Sequence, residues 1–319
     1  MSERLPAWLR DRLRLPMVAA PMFLVSSPEL VIATCRAGIV GAFPFPNART
    51  TAELRDWLAR VKGGLGADDA PYAANIMVHP TYPRLGEEIA LVREFQPPIV
   101  IAALGNPRPI VEAVKPYGGI VLADVNSVAF ARKAIKSGVD GLVLVTAGAG
   151  GHTGPMSPFA FIAEVRGFFD GVIALAGALT DGHALRAAEI LGADLGVVGT
   201  PFIAAEESLA PESYRRMVVD CGFEDILLTD AFTGAKANFL LPSIRAQGLD
   251  PTQLKPRSVI DIGDPQAEVK AWKNIRSAGH GVGRITKVEP ARAIVERYAA
   301  DYRAAVEHSL RRPDWKAAR

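Results

Sequence analysis

The sequence predicts an α/β protein, a (β/α)8 TIM barrel with a small, mostly helical domain inserted after the eighth strand. Three observations predict it. Eight short β-branched apolar runs recur at intervals of about 20 to 35 residues, each interval holding one helical pattern, as βα repeats require. The runs are apolar throughout rather than alternating, as strands of a parallel sheet covered on both faces are. After the eighth run the rhythm stops. Eight strands suit a barrel better than an open doubly wound sheet, which usually has five to seven.

In order, the runs are MVAAPMF from Met17, IVGAFPF from Ile39, YAANIMV from Tyr72, IVIAAL from Ile99, GIVLADV from Gly119, GLVLVTAG from Gly141, VIALAGAL from Val172 and LGVVGT from Leu195. Between them, Ser27-Pro28 places a capping hydroxyl before a proline at the first helical position. Asp181 or Thr180 can cap HALRAAEIL, which stops at Gly192. From about Glu207 to Gly279 the chain reads as irregular helices broken by Pro and Gly, too long for a βα loop and too apolar to be disordered. The predicted division is therefore a barrel from 1–206 and 280–319, with 207–279 covering its mouth. EPARAIVERYAADYRAAVEHSL has unbroken helical spacing and is expected to close the outer layer, leaving RRPDWKAAR as a tail.

Composition narrows the partners. The 319 residues are 49% hydrophobic, with 36 basic against 34 acidic residues, and no Lys/Arg stripe interleaved with aromatics marks a nucleic-acid surface. A small-molecule ligand is expected. The opening MSERLPAWLRDRLRLP lacks a signal-peptide core, and no run is long enough to span a membrane, so the expected location is the cytoplasm. Two cysteines, Cys35 and Cys221, without ligand-spaced partners support neither a disulfide framework nor a metal site. A homodimer is left open.

Functional residues of such a barrel stand at the C-terminal ends of its strands. The tails here are Ala20-Pro21-Met22, Asn75, Asp124, TAGAGGHTGP from Thr146, AGALTDG from Ala176 and Gly199-Thr200. Gly177-Ala178 and Gly199-Thr200 end adjacent strands, where exposed backbone amides of small residues suit a phosphate; each alone also reads as a tight turn. His152 lies among glycines at this end of the barrel, where an imidazole suits proton transfer near neutrality. His280, in SAGHGVG, is a second candidate. Asp124 is an acid/base group, a polar contact to a ring, or the cap of SVAFARKAIKSG. Gly148, Gly150 and Gly154 imitate a dinucleotide fingerprint, but they follow the sixth strand, and Pro155 and Pro158 interrupt the helix that the fingerprint needs.

Taken in order, APM, AANIMV, AGAGGHTG, AGALTDG, GADLGVVGTPFIAAEES and AGHGVG resemble the nitronate monooxygenase (2-nitropropane dioxygenase) family of FMN-dependent barrels nearly end to end. That family also includes type II enoyl-acyl carrier protein reductases and NADH:quinone reductases. The resemblance implies that Ala20, Pro21 and Met22 lie along the flavin, with backbone near Met22 facing its N5. It implies that Asn75 bonds the flavin, that Asp124 stands near it, and that Ala149, Gly150 and Gly151 line its face. The amides of Gly177, Ala178, Gly199 and Thr200 would hold the phosphate, and His152 would be the catalytic base or orient an anionic substrate. The implied reaction is oxidation of an alkyl nitronate with O2 to a carbonyl compound and nitrite. NAD(P)H-dependent reduction of an enoyl (CoA or acyl carrier protein) thioester or a quinone is the alternative, and a non-catalytic FMN-binding regulatory barrel the second. Gly148 stands where the family often has Glu, Ala178 replaces the second glycine of the phosphate turn, and Asp124 replaces a lysine of known nitronate oxidisers. These departures resemble a branch acting on other substrates, such as CoA thioesters.

Overall fold

The computed structural model describes residues 2–257 and 271–311. Strands β1 (Met17–Ala19), β2 (Val40–Pro44), β3 (Tyr72–Met77), β4 (Ile99–Ala103), β5 (Ile120–Val125) and β6 (Gly141–Val145) are followed by a two-residue strand β7 (Gly151–His152). The chain then forms β8 (Val172–Ala176), β9 (Leu195–Val198), β10 (Ile226–Thr229) and β11 (Ala237–Leu240). All eight predicted barrel strands form: β1 to β6, β8 and β9 close a parallel barrel, with β9 returning to β1 through Val18 and Val197.

Strand alternation sets what faces inward. Val18, Ile101, Leu122, Val143, Ala174 and Val197 fill the barrel interior, whereas Val121, Ala123, Leu142, Leu144, Ile173 and Leu175 pack against the helices. This period of two gives each strand one face to the axis and one to the helical layer. Leu5, Leu9 and Leu13 join the interior cluster and plug the end away from the functional strand tails. A four-residue helix at Ala7–Arg10 is too short to hold itself. Burial of three leucines, about 1.5–3 kcal/mol each, fixes it instead.

The expected caps form. Ser27 accepts from Leu30 N–H ahead of Pro28, and Asp181 accepts from Ala184 N–H in a helix ended by Gly192 in the left-handed conformation. The helix Ala291–Arg311 packs against Gly182–Leu191 and Pro28–Arg36, closing the outer layer as expected. Its buried Tyr298 donates to the Leu179 carbonyl at 2.9 Å. Most of the predicted tail, 312–319, lies outside the described residues.

The segment after β9 departs from the mostly helical expectation. Glu212–Asp220 and Leu241–Arg245 are helices, but β10 and β11 form an antiparallel hairpin, and β11 pairs with β7. ILLT and ANFL are short apolar runs that periodicity alone cannot assign to helix or strand. Residues 258–270 of this segment lie outside the described residues.

Candidate active site

The stretch 146–156 leaves β6 and is tied down at several points. Thr146 donates through both N–H and Oγ1 to the Ala176 carbonyl at 2.9 Å, Ala147 N–H donates to Met156 O at 2.8 Å, and Thr153 Oγ1 donates to Thr146 O at 2.9 Å. Further along, Gly151 and His152 pair with Asn238 and Ala237 of β11. Buried Asn238 donates its side-chain amide to the Ala149 carbonyl at 2.8 Å. The segment around His280 fastens the loop from its other side: His280 N–H donates to Gly148 O at 3.0 Å, and Gly279 N–H donates to Thr200 Oγ1 at 2.9 Å.

Glycine is required here for two reasons. Gly148 has φ +92°, and a Cβ on it would lie 3.0 Å from Ala178 Cβ and 3.1 Å from His280 Nδ1. On Gly150 a Cβ would meet the Gly279 nitrogen at 2.7 Å, backbone that cannot move aside as a side chain does.

The His152 ring is reached by solvent and meets Trp272 edge to face, centroids 5.3 Å apart at 80°. Trp272 in turn stacks on Phe239 of β11 at 5.1 Å. Desolvation lowers the His152 pKa, so neutral imidazole prevails at neutral pH. The same cause lowers His280, whose ring stands edge to face with Phe223 at 5.0 Å.

Beside this loop, the strand tails after β8 and β9 present unused donors. The amides of Gly177, Ala178, Leu179, Thr180, Gly199 and Thr200 reach no protein acceptor among the described residues. Ala178 takes φ +53°, the left-handed turn that a second glycine would otherwise supply. A Cβ on Gly199 would approach Ala20 Cβ at 3.3 Å and Met22 Sδ at 3.4 Å, so the turn after β1 lies against this cradle. In that turn Met22 N–H donates to Ser26 Oγ at 3.0 Å. Leu24 N–H goes to Asn47 Oδ1 at 2.8 Å. Phe23 N–H reaches no acceptor among the described residues.

Asn75 is buried on β3 and donates its amide to Ile101 O at 3.1 Å. Asp124 stands on β5 two residues beyond Leu122, at the inward parity. The cap reading of Asp124 is corrected: Ser127 caps the following helix, accepting from Phe130 N–H at 3.3 Å. Desolvation pushes the Asp124 carboxyl up to about 7. The unused amides, the crowded glycines and the inward Asn75 and Asp124 form one mouth, a fit for a phosphate-bearing ring cofactor.

One cluster away from the mouth has metal-like spacing, with Asp181, His183 and Asp301 offering ligand atoms within 4.8 Å of one another. Asp181 Oδ1 already caps Ala184 N–H at 3.0 Å and its Oδ2 lies 3.6 Å from Arg284, so the group is a helix cap with an ion pair. Among the described residues no helix is long and apolar enough to cross a membrane.

A profile of the nitronate monooxygenase family matches residues 81–297. The chain belongs to the nitronate monooxygenase family. The nitronate monooxygenase of Paraburkholderia phytofirmans is 25% identical, over 92% of this chain and 93% of that one. The (3aS,4S,5R,7aS)-5-hydroxy-7a-methyl-1-oxo-octahydro-1H-indene-4-carboxyl-CoA dehydrogenase of Mycobacterium tuberculosis is 26% identical over 69% of this chain. The match spans 61% of that dehydrogenase's length, and 60% of its Rhodococcus jostii counterpart's. Among solved structures, FabK from Thermotoga maritima superposes with TM-score 0.80 at 25% identity, over 97% of this chain and 99% of that one. The nitroalkane oxidase of Streptomyces ansochromogenes shares the fold, with TM-score 0.80 at 24% identity over 94% of this chain and 99% of that one. By their names the monooxygenase, the dehydrogenases and the nitroalkane oxidase are oxidoreductases. The His280 ring occupies the space that a side chain at Gly148 would need.

Proposed function

We propose that the protein is an FMN-dependent oxidoreductase that oxidises alkyl nitronates with O2, giving a carbonyl compound and nitrite. The observation that carries the reading is the pairing, at one barrel mouth, of a cradle of unused amides after β8 and β9 with an accessible His152 kept neutral by its surroundings. FMN, when bound, supplies the electron acceptor. The amides of Gly177, Ala178, Gly199 and Thr200 hold the phosphate, with no cation needed because several aligned N–H dipoles do the work of one. Asn75 and the turn at Ala20 to Met22 orient the ring, while Ala149 to Gly151 let it approach the backbone. An N–H of the His152 ring orients the nitronate anion; where the nitroalkane itself enters, the neutral ring nitrogen takes its Cα proton first and gives the same anion.

A second reading has a specific observation in its favour. Any ionised fraction of Asp124 at this mouth repels an anionic nitronate, and the mycobacterial relative is named for a carboxyl-CoA substrate. On this reading NAD(P)H reduces the flavin, and His152, protonated in the complex, donates a proton to an enoyl thioester or quinone.

Anaerobic stopped-flow separates these readings. Rapid bleaching of bound flavin by propyl-2-nitronate or propionate-3-nitronate, and none by NADH, is the expected result. Bleaching by NADH alone transfers the assignment to the reductase reading. Tight FMN binding with no bleaching by any donor marks a non-catalytic FMN-binding barrel.

A further inference from the structure

The interior of the barrel is lined by apolar groups up to its functional end, with one exception that ionises. Asp124 follows Ile120 and Leu122 along the inward face of β5. Its inward neighbours are Ile101 and Ala103 on β4 and Val143 and Val145 on β6, none of them ionisable. Asn75, on β3, is neutral. The carboxyl has no hydrogen bond or ion pair within the described residues, since Ser127 rather than Asp124 caps the next helix. Burial raises its pKa. The titratable groups of the mouth loops are His79, His152 and His280, none of which bonds to it among the described residues.

A carboxyl so placed faces a choice when a flat ring covers the mouth. As a carboxylate it would lose its remaining water in an apolar layer with no cation to offset the loss, which costs several kcal/mol. As a carboxylic acid it can donate to a ring nitrogen or carbonyl. Such acceptors would lie along the edge of an isoalloxazine whose phosphate is held at β8 and β9.

Resting on the FMN reading above, we infer that Asp124 binds the cofactor ring as a neutral hydrogen-bond donor, so that the apo-protein takes up a proton at this residue when FMN binds. The bond that forms is Asp124 O–H to a ring acceptor; the proton comes from solvent, and no electron moves. Affinity is then set by the fraction of apo-protein carrying the proton.

The test is FMN affinity of apo-protein between pH 7 and pH 9, for wild type and Asp124→Asn, with isothermal titration at pH 8 in buffers of different ionisation enthalpy. Linkage through a group at about 7 predicts that wild-type Kd rises by about 50-fold across that range, with uptake of close to one proton at pH 8. Asp124→Asn, a neutral donor of the same shape, is expected to bind with nearly constant Kd and no uptake. The ratio between the two proteins cancels ionisation of the FMN phosphate. FMN binding to wild type without proton uptake overturns this inference alone, because the ring then contacts a carboxylate or misses Asp124. Failure of the wild type to bind FMN at any pH overturns the cofactor reading and this inference with it. Proton uptake is measured on wild type, so the inference stays testable even where the variant does not fold.

Discussion

The imidazole of His152 stands edge-on to the indole of Trp272, ring centroids 5.3 Å apart, and no hydrogen bond orients the histidine from within the described residues. Its direction is set by strand pairing beneath it and an aromatic face beside it. Edge-to-face pairs of this kind contribute about 0.5–1.5 kcal/mol beyond the area they bury, enough to favour one ring position.

Removing that face changes the titration of His152. Burial lowers its pKa, so the base form persists further into acid than in a free imidazole, and the acid limb of kcat/KM lies correspondingly low. Trp272→Ala admits water, raises the pKa towards its ordinary value and moves the limb to higher pH. Trp272→Phe keeps an aromatic edge and should leave the limb near its wild-type position. A pH profile of kcat/KM for the three proteins decides the matter.

Truncating the histidine itself separates chemistry from cofactor binding. His152→Ala is expected to lower turnover by about 10²–10⁴-fold, the usual worth of a positioned acid/base group. FMN affinity should change little, because the amide cradle lies after β8 and β9 rather than on this loop. Full activity in the variant, measured against nitronate and against NADH, sinks the assigned role.

Gly148 couples the loop to His280. Gly148→Ala places a Cβ at 3.0 Å from Ala178 Cβ and 3.1 Å from His280 Nδ1, on a backbone with φ +92°. A loss of about 1–3 kcal/mol is expected from crowding and strain together. Gly148→Glu, with a longer side chain, should be worse alone and partly restored by His280→Ala. Thermal melts of wild type, the three single variants and the Gly148→Glu/His280→Ala double variant measure the coupling.

Glu88 makes stability depend on pH. It is 0% exposed, accepts from Tyr82 Oη at 2.6 Å and lies 3.0 Å from Arg84, yet its Oε2 lacks a partner among the described residues. Burial outweighs the arginine and pushes the carboxyl from 4.5 up to about 7. Between those values the folded protein binds more protons than the unfolded chain, so stability falls as pH rises through this window, by ~3 kcal/mol at most. Glu88→Gln should flatten the dependence in urea unfolding at pH 5, 6, 7 and 8.

Much of this architecture was legible because its signals are local. A buried parallel strand announces itself in four to seven residues, and Ser27, Asp181 and Gly192 act within one turn of where they stand. His152 and the glycines around it could be placed at the mouth once β6 was counted. The helical reading of ILLT and ANFL failed because pairing partners decide such short runs, and Asn238 and Trp272 left no signal. Asn238 meets Ala149 across 89 residues of chain, and Trp272 gains meaning only from the rings on either side of it.

The pairing of β7 with β11 also bears on how the finished protein opens. Seven of the eight barrel pairings join successive βα units and the eighth brings β9 back to β1, so the barrel is a closed ring with no free edge. β7 instead meets its partner over two residues at the end of a three-stranded sheet, and short pairings at an edge are released more readily than core strands. The protein would therefore visit a state in which the barrel is whole and the segment carrying His152 is adrift.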